Sequence, residues 1–164
     1  INDVSVVMGQ GFLSDHYNPS TKTVALSPDV FGGRSIAAAA VAAHECGHAV
    51  QHAKAYSMLQ LRSKLVPVVQ FSSNIQQFLF MGAMFGIGSA FGGTLMMILV
   101  FTFGATALFS LVTLPVEFDA SNRALAWLDE SGYMQGDEHD GGKDGLWWAA
   151  RTDVSGALRV LVML

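Results

Sequence analysis

The sequence predicts an α+β fold that is mainly helical, and three observations point to it. Residues 1–33 hold short β-branched runs separated by turn residues, which is the pattern of a small β unit. An alanine-rich segment with several histidines follows, and alanine is the strongest helix former. Between Lys64 and Glu117 there are 52 positions without a charged residue. Such a stretch is long enough for two apolar helices, so we expect one domain of 164 residues with a helical hairpin at its centre.

The composition indicates a membrane protein. Charged residues make up 13% of the chain, against about 25% in soluble domains. The net charge is -4 and the lysines and arginines are scattered, which argues against binding to nucleic acid. The single cysteine, Cys46, excludes an internal disulfide. Because the chain starts at Ile1 and stops on the apolar run "VLVML", we expect it to be part of a longer protein.

The first elements are predicted from turn and capping residues. "VSVVM" and "TVALS" are expected to form two antiparallel strands joined by the turn-rich "SDHYNPSTK", within a β unit that covers 1–33. "FGGRS" then breaks the chain. Ser35 is a suitable N-cap for the next helix, which we expect over 35–56.

The charge-free stretch predicts a transmembrane helical hairpin over 75–114. Its helices are expected at 75–91 and 95–114, with a turn at 92–94 and Pro115 just beyond the second helix. Glycines four residues apart in the first helix would allow close packing in lipid. The alternative is a buried hairpin in the core of a soluble protein, but a stretch this long exceeds ordinary core helices.

Two further helices are expected after the hairpin. An amphipathic pattern covers 116–131, and the acidic segment "MQGDEHDGGKDG" after it lacks the regular ligand spacing of a calcium loop. The apolar pattern over 146–164 predicts a C-terminal helix that either packs on the core or begins another membrane helix.

The stretch "VAAHECGHAVQH" contains the motif H-E-x-x-H. On a helix, His44 and His48 lie one turn apart on the same face and can bind one zinc ion. In zincin-like sites of this kind the glutamate, here Glu45, reaches the water at the metal and acts as general base in hydrolysis. A chance pentapeptide is the alternative, but the apolar surroundings make an uncoordinated ionisable cluster costly. Gly47 inside the helix indicates that another element packs closely against it.

The two histidines leave the ion short of a third ligand. His52 lies two turns, about 12 Å, beyond His44, so it is expected to support the site or to face solvent. Glu117 is the preferred third ligand because it follows the second apolar helix directly, and Asp119 is the rival. A carboxylate at a helix start is, however, also common without any metal.

The hairpin would bring these residues to one side of the membrane. Two crossings return the chain to its starting side, so Glu117 can meet the histidines there. Arg62 and Lys64 precede the first crossing and Arg123 follows the second, whereas the turn between the crossings has no positive charge. The positive-inside tendency then predicts a cytoplasmic site.

The sequence resembles a known family in these same segments. "SDHYNPSTKTVALSPDVFGGRSIAAAAVAAHECGHAVQH", "LRSKLVPV" and "LVTLPVEFDASNRAL" are similar to the bacterial neutral zinc metallopeptidases of the YugP type, from about residue 11 to 127. The resemblance implies a membrane-embedded zinc peptidase in which His44 and His48 are ligands and Glu45 is the catalytic base. It also implies an N-terminal membrane helix, which we expect to lie outside residues 1–164.

A more distant similarity concerns the third ligand. In HtpX and the type I CAAX prenyl proteases, both membrane gluzincins, a glutamate after a membrane hairpin completes the zinc site, and "EFDAS" matches that pattern at Glu117. Ser121 departs from the pattern, because those relatives carry an aspartate there that steadies a zinc histidine. Either another group holds that histidine in this chain, or Asp119 has that role.

We therefore expect a zinc-dependent membrane metalloendopeptidase that hydrolyses peptide bonds. It would be a multi-pass protein of the bacterial cell membrane, with peptide or protein substrates and, by analogy with HtpX, a role in membrane protein quality control. A homo-oligomer or a membrane partner is left open. The alternative function is a non-catalytic membrane adaptor or scaffold with a structural metal. Residues that could support the site or line a substrate cleft are His16, Tyr17, His52, Asp119 and Arg123.

Overall fold

A computed structural model of the chain describes residues 1–11, 14–84, 92–133 and 141–147. It is mostly helical and has one small sheet, as the sequence predicts. The elements in chain order are β1 (Ser5–Met8), β2 (His16–Asn18), β3 (Thr23–Leu26), α1 (Pro28–Phe31), α2 (Ile36–Ala53), α3 (Ser57–Met84) and α4 (Gly92–Glu130).

The sheet has three strands in the order β1-β3-β2, and its topology differs from the prediction. The two predicted strands are present as β1 and β3, but they are parallel. The segment between them holds β2, which pairs antiparallel with β3. Asn18 explains the difference, because its Oδ1 accepts hydrogen bonds from the backbone N–H groups of Ser20 and Thr21 and closes a turn. This turn joins β2 to β3, so β1 takes the other edge of β3.

Helix α2 lies between the sheet and α4. Its N-terminus is capped by Ser35, whose Oγ accepts a hydrogen bond from Ala38 N at 3.1 Å, as the sequence predicts. One face packs on the sheet through a buried cluster of Val24, Leu26 and Ala49. The other face packs on α4 and on the helical residues 141–147, through a second cluster of Ala40, Ala43, Ala124, Leu128 and Leu146.

A glycine allows α2 and α4 to approach closely. A Cβ built on Gly47 would lie 2.6 Å from the backbone oxygen of Ala120, which is far inside van der Waals contact. Only glycine fits there without displacement of one helix. The structure thus identifies α4 as the element that packs against this position.

Helices α3 and α4 differ in their bounds from the predicted hairpin. The predicted turn at 92–94 is wrong, because these residues form the first turn of α4, and residues 85–91 lie outside the described part. The predicted break after Pro115 is also wrong, since α4 continues through it to Glu130 and includes the separate helix expected over 116–131. A proline inside a helix costs about 3 kcal/mol, and the packing of α4 against α2 and α3 offsets this.

Arg62, near the start of α3, contacts Glu117, in the second half of α4, so the two helices run antiparallel. Of the helices in the described residues, α4 alone is long and apolar enough to cross a membrane by length and composition. Residues 141–147 are helical, and the rest of the predicted C-terminal helix lies outside the described part.

Candidate metal site

Three ligand-type side chains meet between α2 and α4. They are His44 and His48 on α2 and Glu117 on α4, and their ligand atoms lie within 4.8 Å of one another. All three are buried, with exposed fractions of 2%, 8% and 2%. Such a group of two imidazoles and a carboxylate could bind a metal ion.

The two histidines turn the same ring atom toward the carboxylate. His44 Nε2 lies 3.1 Å and His48 Nε2 lies 3.3 Å from Glu117 Oε2. Ligand atoms around a tetrahedral zinc ion are about 3.4 Å apart when each bond is about 2.05 Å. The donor set and these separations therefore fit zinc.

The two helices produce this geometry in different ways. His44 and His48 are four residues apart on α2, so their rings share a face and meet edge to face at a centroid distance of 4.8 Å. Glu117 comes from α4, three residues before the point where Ala120 meets Gly47. The close approach at Gly47 therefore sets the distance between the carboxylate and the histidines.

Each of the three side chains contacts a further residue through the polar atom that does not face the other two. His44 Nδ1 is 3.1 Å from Ser121 Oγ, and His48 Nδ1 is 3.0 Å from Gln51 Oε1. The second oxygen of Glu117, Oε1, forms an ion pair with Arg62 Nη1 at 3.2 Å. These contacts fix the rings and leave the Nε2 atoms and Oε2 for an ion.

The charges at the site support one another. Burial alone lowers the pKa of His48, but the hydrogen bond and the negative charge of Glu117 outweigh it and hold the pKa above its usual value. Glu117 lies beyond the apolar run of α4. Burial alone raises its pKa, but hydrogen bonds from both histidines and the charge of Arg62 hold it well below its usual range. A lowered pKa favours the ionised carboxylate, which is the form that binds a metal ion.

Glu45 is placed beside this group by the helix itself. It follows His44 directly and is 8% exposed, and its negative charge contributes to the raised pKa of His48. A general base must reach the proton that it abstracts, either directly or through one water.

The structure separates the other candidate residues from the three-residue group. Asp119, the rival third ligand, is instead bound by Arg123, whose Nε donates to Asp119 Oδ2 at 2.7 Å. His52 Nδ1 is 2.8 Å from the hydroxyl of Tyr17, and this contact ties α2 to β2. His16 is exposed, and its Nδ1 lies 2.7 Å from the backbone oxygen of Ser14.

Sequence reasoning missed two residues that contact the group. Gln51 is one turn beyond His48, and this spacing alone places it beside that ring. Arg62 is a basic residue just before the apolar stretch, where the sequence indicates only which side of the membrane it faces. The missing aspartate at Ser121 is also explained, because the serine hydroxyl itself contacts His44.

Comparison with known proteins identifies the class of protein. The model of the family described as "Putative neutral zinc metallopeptidase" matches residues 1–164, and the chain belongs to this family. Zinc is the cofactor that the family name and the buried His/His/Glu group indicate together.

A curated relative is the "Putative membrane protease YugP" of Bacillus subtilis (strain 168). It is 44% identical over 156 residues, which cover 95% of this chain and 68% of the relative. No solved structure gives a significant match.

Proposed function

We propose that this protein is a zinc-dependent metalloendopeptidase that hydrolyses peptide bonds. The observation that carries the proposal is the buried group of His44, His48 and Glu117, whose ligand atoms converge, together with the buried Glu45 that follows His44 in the chain. Membership of the zinc metallopeptidase family supports it. A structural metal site would not need Glu45 next to its ligands, and this favours an enzyme over a scaffold.

Each side chain has one role in the proposed reaction. His44, His48 and Glu117 would hold the ion, and their outer partners keep these side chains in place. Bound zinc would supply a Lewis acid to polarise the scissile carbonyl and to acidify water. Glu45 takes a proton from the attacking water and passes it to the leaving amine. The buried surroundings exclude bulk water and strengthen these interactions.

The exposed faces of α3 and α4 support a bilayer as their environment. Only 22% of the most apolar stretch of α4 is buried, which argues against the core helix of a soluble protein. Phe71, Phe78 and Phe101 are 68%, 70% and 73% exposed. The buried positions of α3 include the polar Ser72 and Gln76, the reverse of a helix that faces water. A bilayer around the α3–α4 hairpin would account for the exposed apolar side chains and for the buried polar side chains.

The charges suggest which side of the membrane the site faces. Arg62, Lys64 and Arg123 lie at the end of the hairpin that holds the metal group, and the positive-inside tendency places that end in the cytoplasm. A site at the cytoplasmic surface would meet loops of membrane proteins and misfolded segments. We therefore propose a multi-pass protein with a role in membrane protein quality control.

The experiment that tests the enzyme is the Glu45→Gln variant. Parent and variant are purified in detergent, and zinc content and hydrolysis of an unfolded protein are measured on the same samples. Glu45→Gln should retain zinc and lose hydrolysis by about 100-fold or more. Glu130→Gln is the matched control, because Glu130 is exposed at the end of α4. Hydrolysis by Glu45→Gln at the parent rate would overturn the proposal.

A further inference from the structure

Gln51 is the most enclosed polar side chain near the metal group. Its exposed fraction is zero, and its amide group lies between α2 and α4. The Oε1 atom is 3.0 Å from His48 Nδ1. The Nε2 atom donates to the backbone oxygen of Val116 and to Asp119 Oδ2, each at 2.8 Å. All polar atoms of the amide are therefore used.

These acceptors determine which way the amide points. The oxygen and nitrogen of a glutamine amide are usually hard to tell apart, and the surrounding donors and acceptors decide the assignment. Here both neighbours on one side, a backbone carbonyl and a carboxylate, are acceptors only. The NH₂ group must face them, and a flipped amide would place oxygen against two oxygens.

The orientation of Gln51 in turn determines the state of His48. With Oε1 toward the ring, His48 Nδ1 must carry a proton and donate it. The lone pair for an ion is then on Nε2, the atom that faces Glu117. His44 differs, because the hydroxyl of Ser121 can either donate or accept and imposes no such state.

Asp119 is itself held in place from the other side. Arg123, four residues later on α4, donates from Nε to Oδ2 at 2.7 Å and from Nη2 to Oδ1 at 3.3 Å. A carboxylate that Arg123 fixes in place thus orients the amide.

We propose that Gln51 is a positioning residue that holds His48 in the orientation required of a zinc ligand, and that the Asp119–Arg123 pair fixes Gln51. The inference rests on the proposed zinc site and assigns a role to the carboxylate that is not a ligand. It predicts that a contact on the far side of His48 controls zinc affinity.

The first test is zinc affinity, measured by competition with a chelating dye on the full chain in detergent. Gln51→Met keeps the length of the side chain and removes the acceptor, and it should weaken zinc binding by about 10- to 100-fold. Gln60→Met is the matched control, because Gln60 is exposed and its side chain donates to the backbone oxygen of Ala55 rather than to a histidine ring. In the zinc-loaded parent the Nδ1 proton of His48 should give a slowly exchanging proton resonance that Gln51→Met loses. Unchanged affinity and an unchanged resonance would overturn the inference.

A second variant guards against a general folding defect. Asp119→Ala leaves Gln51 and His48 unchanged and removes one of the two acceptors that orient the amide. The Asp119 side chain is 29% exposed, so its removal should leave the fold intact. Zinc affinity should fall by a smaller factor than in Gln51→Met, because the backbone oxygen of Val116 still accepts from Gln51 Nε2. Parent-like affinity in Asp119→Ala would contradict the role of position 119.

The same zinc affinities distinguish a failure of the role proposed for Gln51 from a failure of the proposed zinc peptidase function. If the parent binds zinc tightly and Gln51→Met binds it equally well, the inference fails and the proposed function stands. If the parent does not bind zinc, the proposed function fails and the inference fails with it.

Discussion

Gly47→Ala is expected to weaken zinc binding although alanine favours the helix. The added Cβ would lie 2.6 Å from Ala120 O, whereas ordinary contacts begin at 3.4 Å. Helices α2 and α4 must therefore separate locally by about 0.8 Å. His48 and Glu117 lie on opposite sides of this contact at 3.3 Å, and metal–ligand distances tolerate only about 0.2 Å of change.

The expected magnitudes follow from these distances. Helix propensity favours the variant by about 1 kcal/mol, and overpacking costs about 1–3 kcal/mol, so the fold should survive. Zinc affinity should fall by about tenfold or more, since displaced ligand supports have effects of that size.

Affinity is measured by dye competition and folding by circular dichroism. Gly104→Ala is the control, because a Cβ on Gly104 of α4 meets nothing within 4 Å. Parent-like zinc affinity in a folded Gly47→Ala protein would show that the close approach at Gly47 does not set the ligand distances.

Three further outcomes are expected. Ser121→Ala removes the partner of His44 Nδ1 and should weaken zinc binding by up to about tenfold in the dye assay, because one neutral hydrogen bond is lost. An unchanged zinc affinity would show that the contact between Ser121 and His44 does not support the metal site. Arg62→Met leaves the buried Glu117 carboxylate without its arginine partner and should destabilise the metal-free protein by about 1–3 kcal/mol, a value reduced because Arg62 is 32% exposed. The thermal midpoint without zinc should fall, and the increase in this midpoint on zinc addition should become larger. Midpoints equal to those of the parent would contradict a stabilising role of the Arg62–Glu117 pair. Phe101→Lys places a charge on the exposed face of α4 and should reduce the fraction of protein inserted in the membrane, by an amount that corresponds to about 3 kcal/mol. Trp127→Lys is the control, because Trp127 is exposed beyond the apolar run and its replacement should leave this fraction unchanged. An equal membrane-inserted fraction in the two variants would argue against a membrane around α4.

The parts of the fold that depend on local signals were predictable from the sequence. Ser35 before an alanine-rich run marks the start of α2, and the four-residue spacing of His44 and His48 puts them on one face. Gly47 signalled a close contact because a helix otherwise disfavours glycine. Zinc as cofactor follows from the same motif together with the family.

The parts that depend on distant contacts were less accessible. The partner of β3 depends on which segment closes the turn after Asn18, and the parallel arrangement of β1 was missed for that reason. Pro115 suggested a helix end, but tertiary packing carries α4 through it. Glu117 and Asp119 could not be separated by sequence position, since both lie near the start of the same amphipathic segment. Their different roles depend on which one faces α2 and which one faces Arg123.

The most direct test of the central claim is zinc content per chain in the parent, Glu117→Gln and Asp119→Asn, purified in detergent under the same conditions. We expect about one zinc per chain in the parent, loss of zinc in Glu117→Gln and retention in Asp119→Asn at saturating zinc. Zinc retained by Glu117→Gln, or absent from the folded parent, would contradict this expectation.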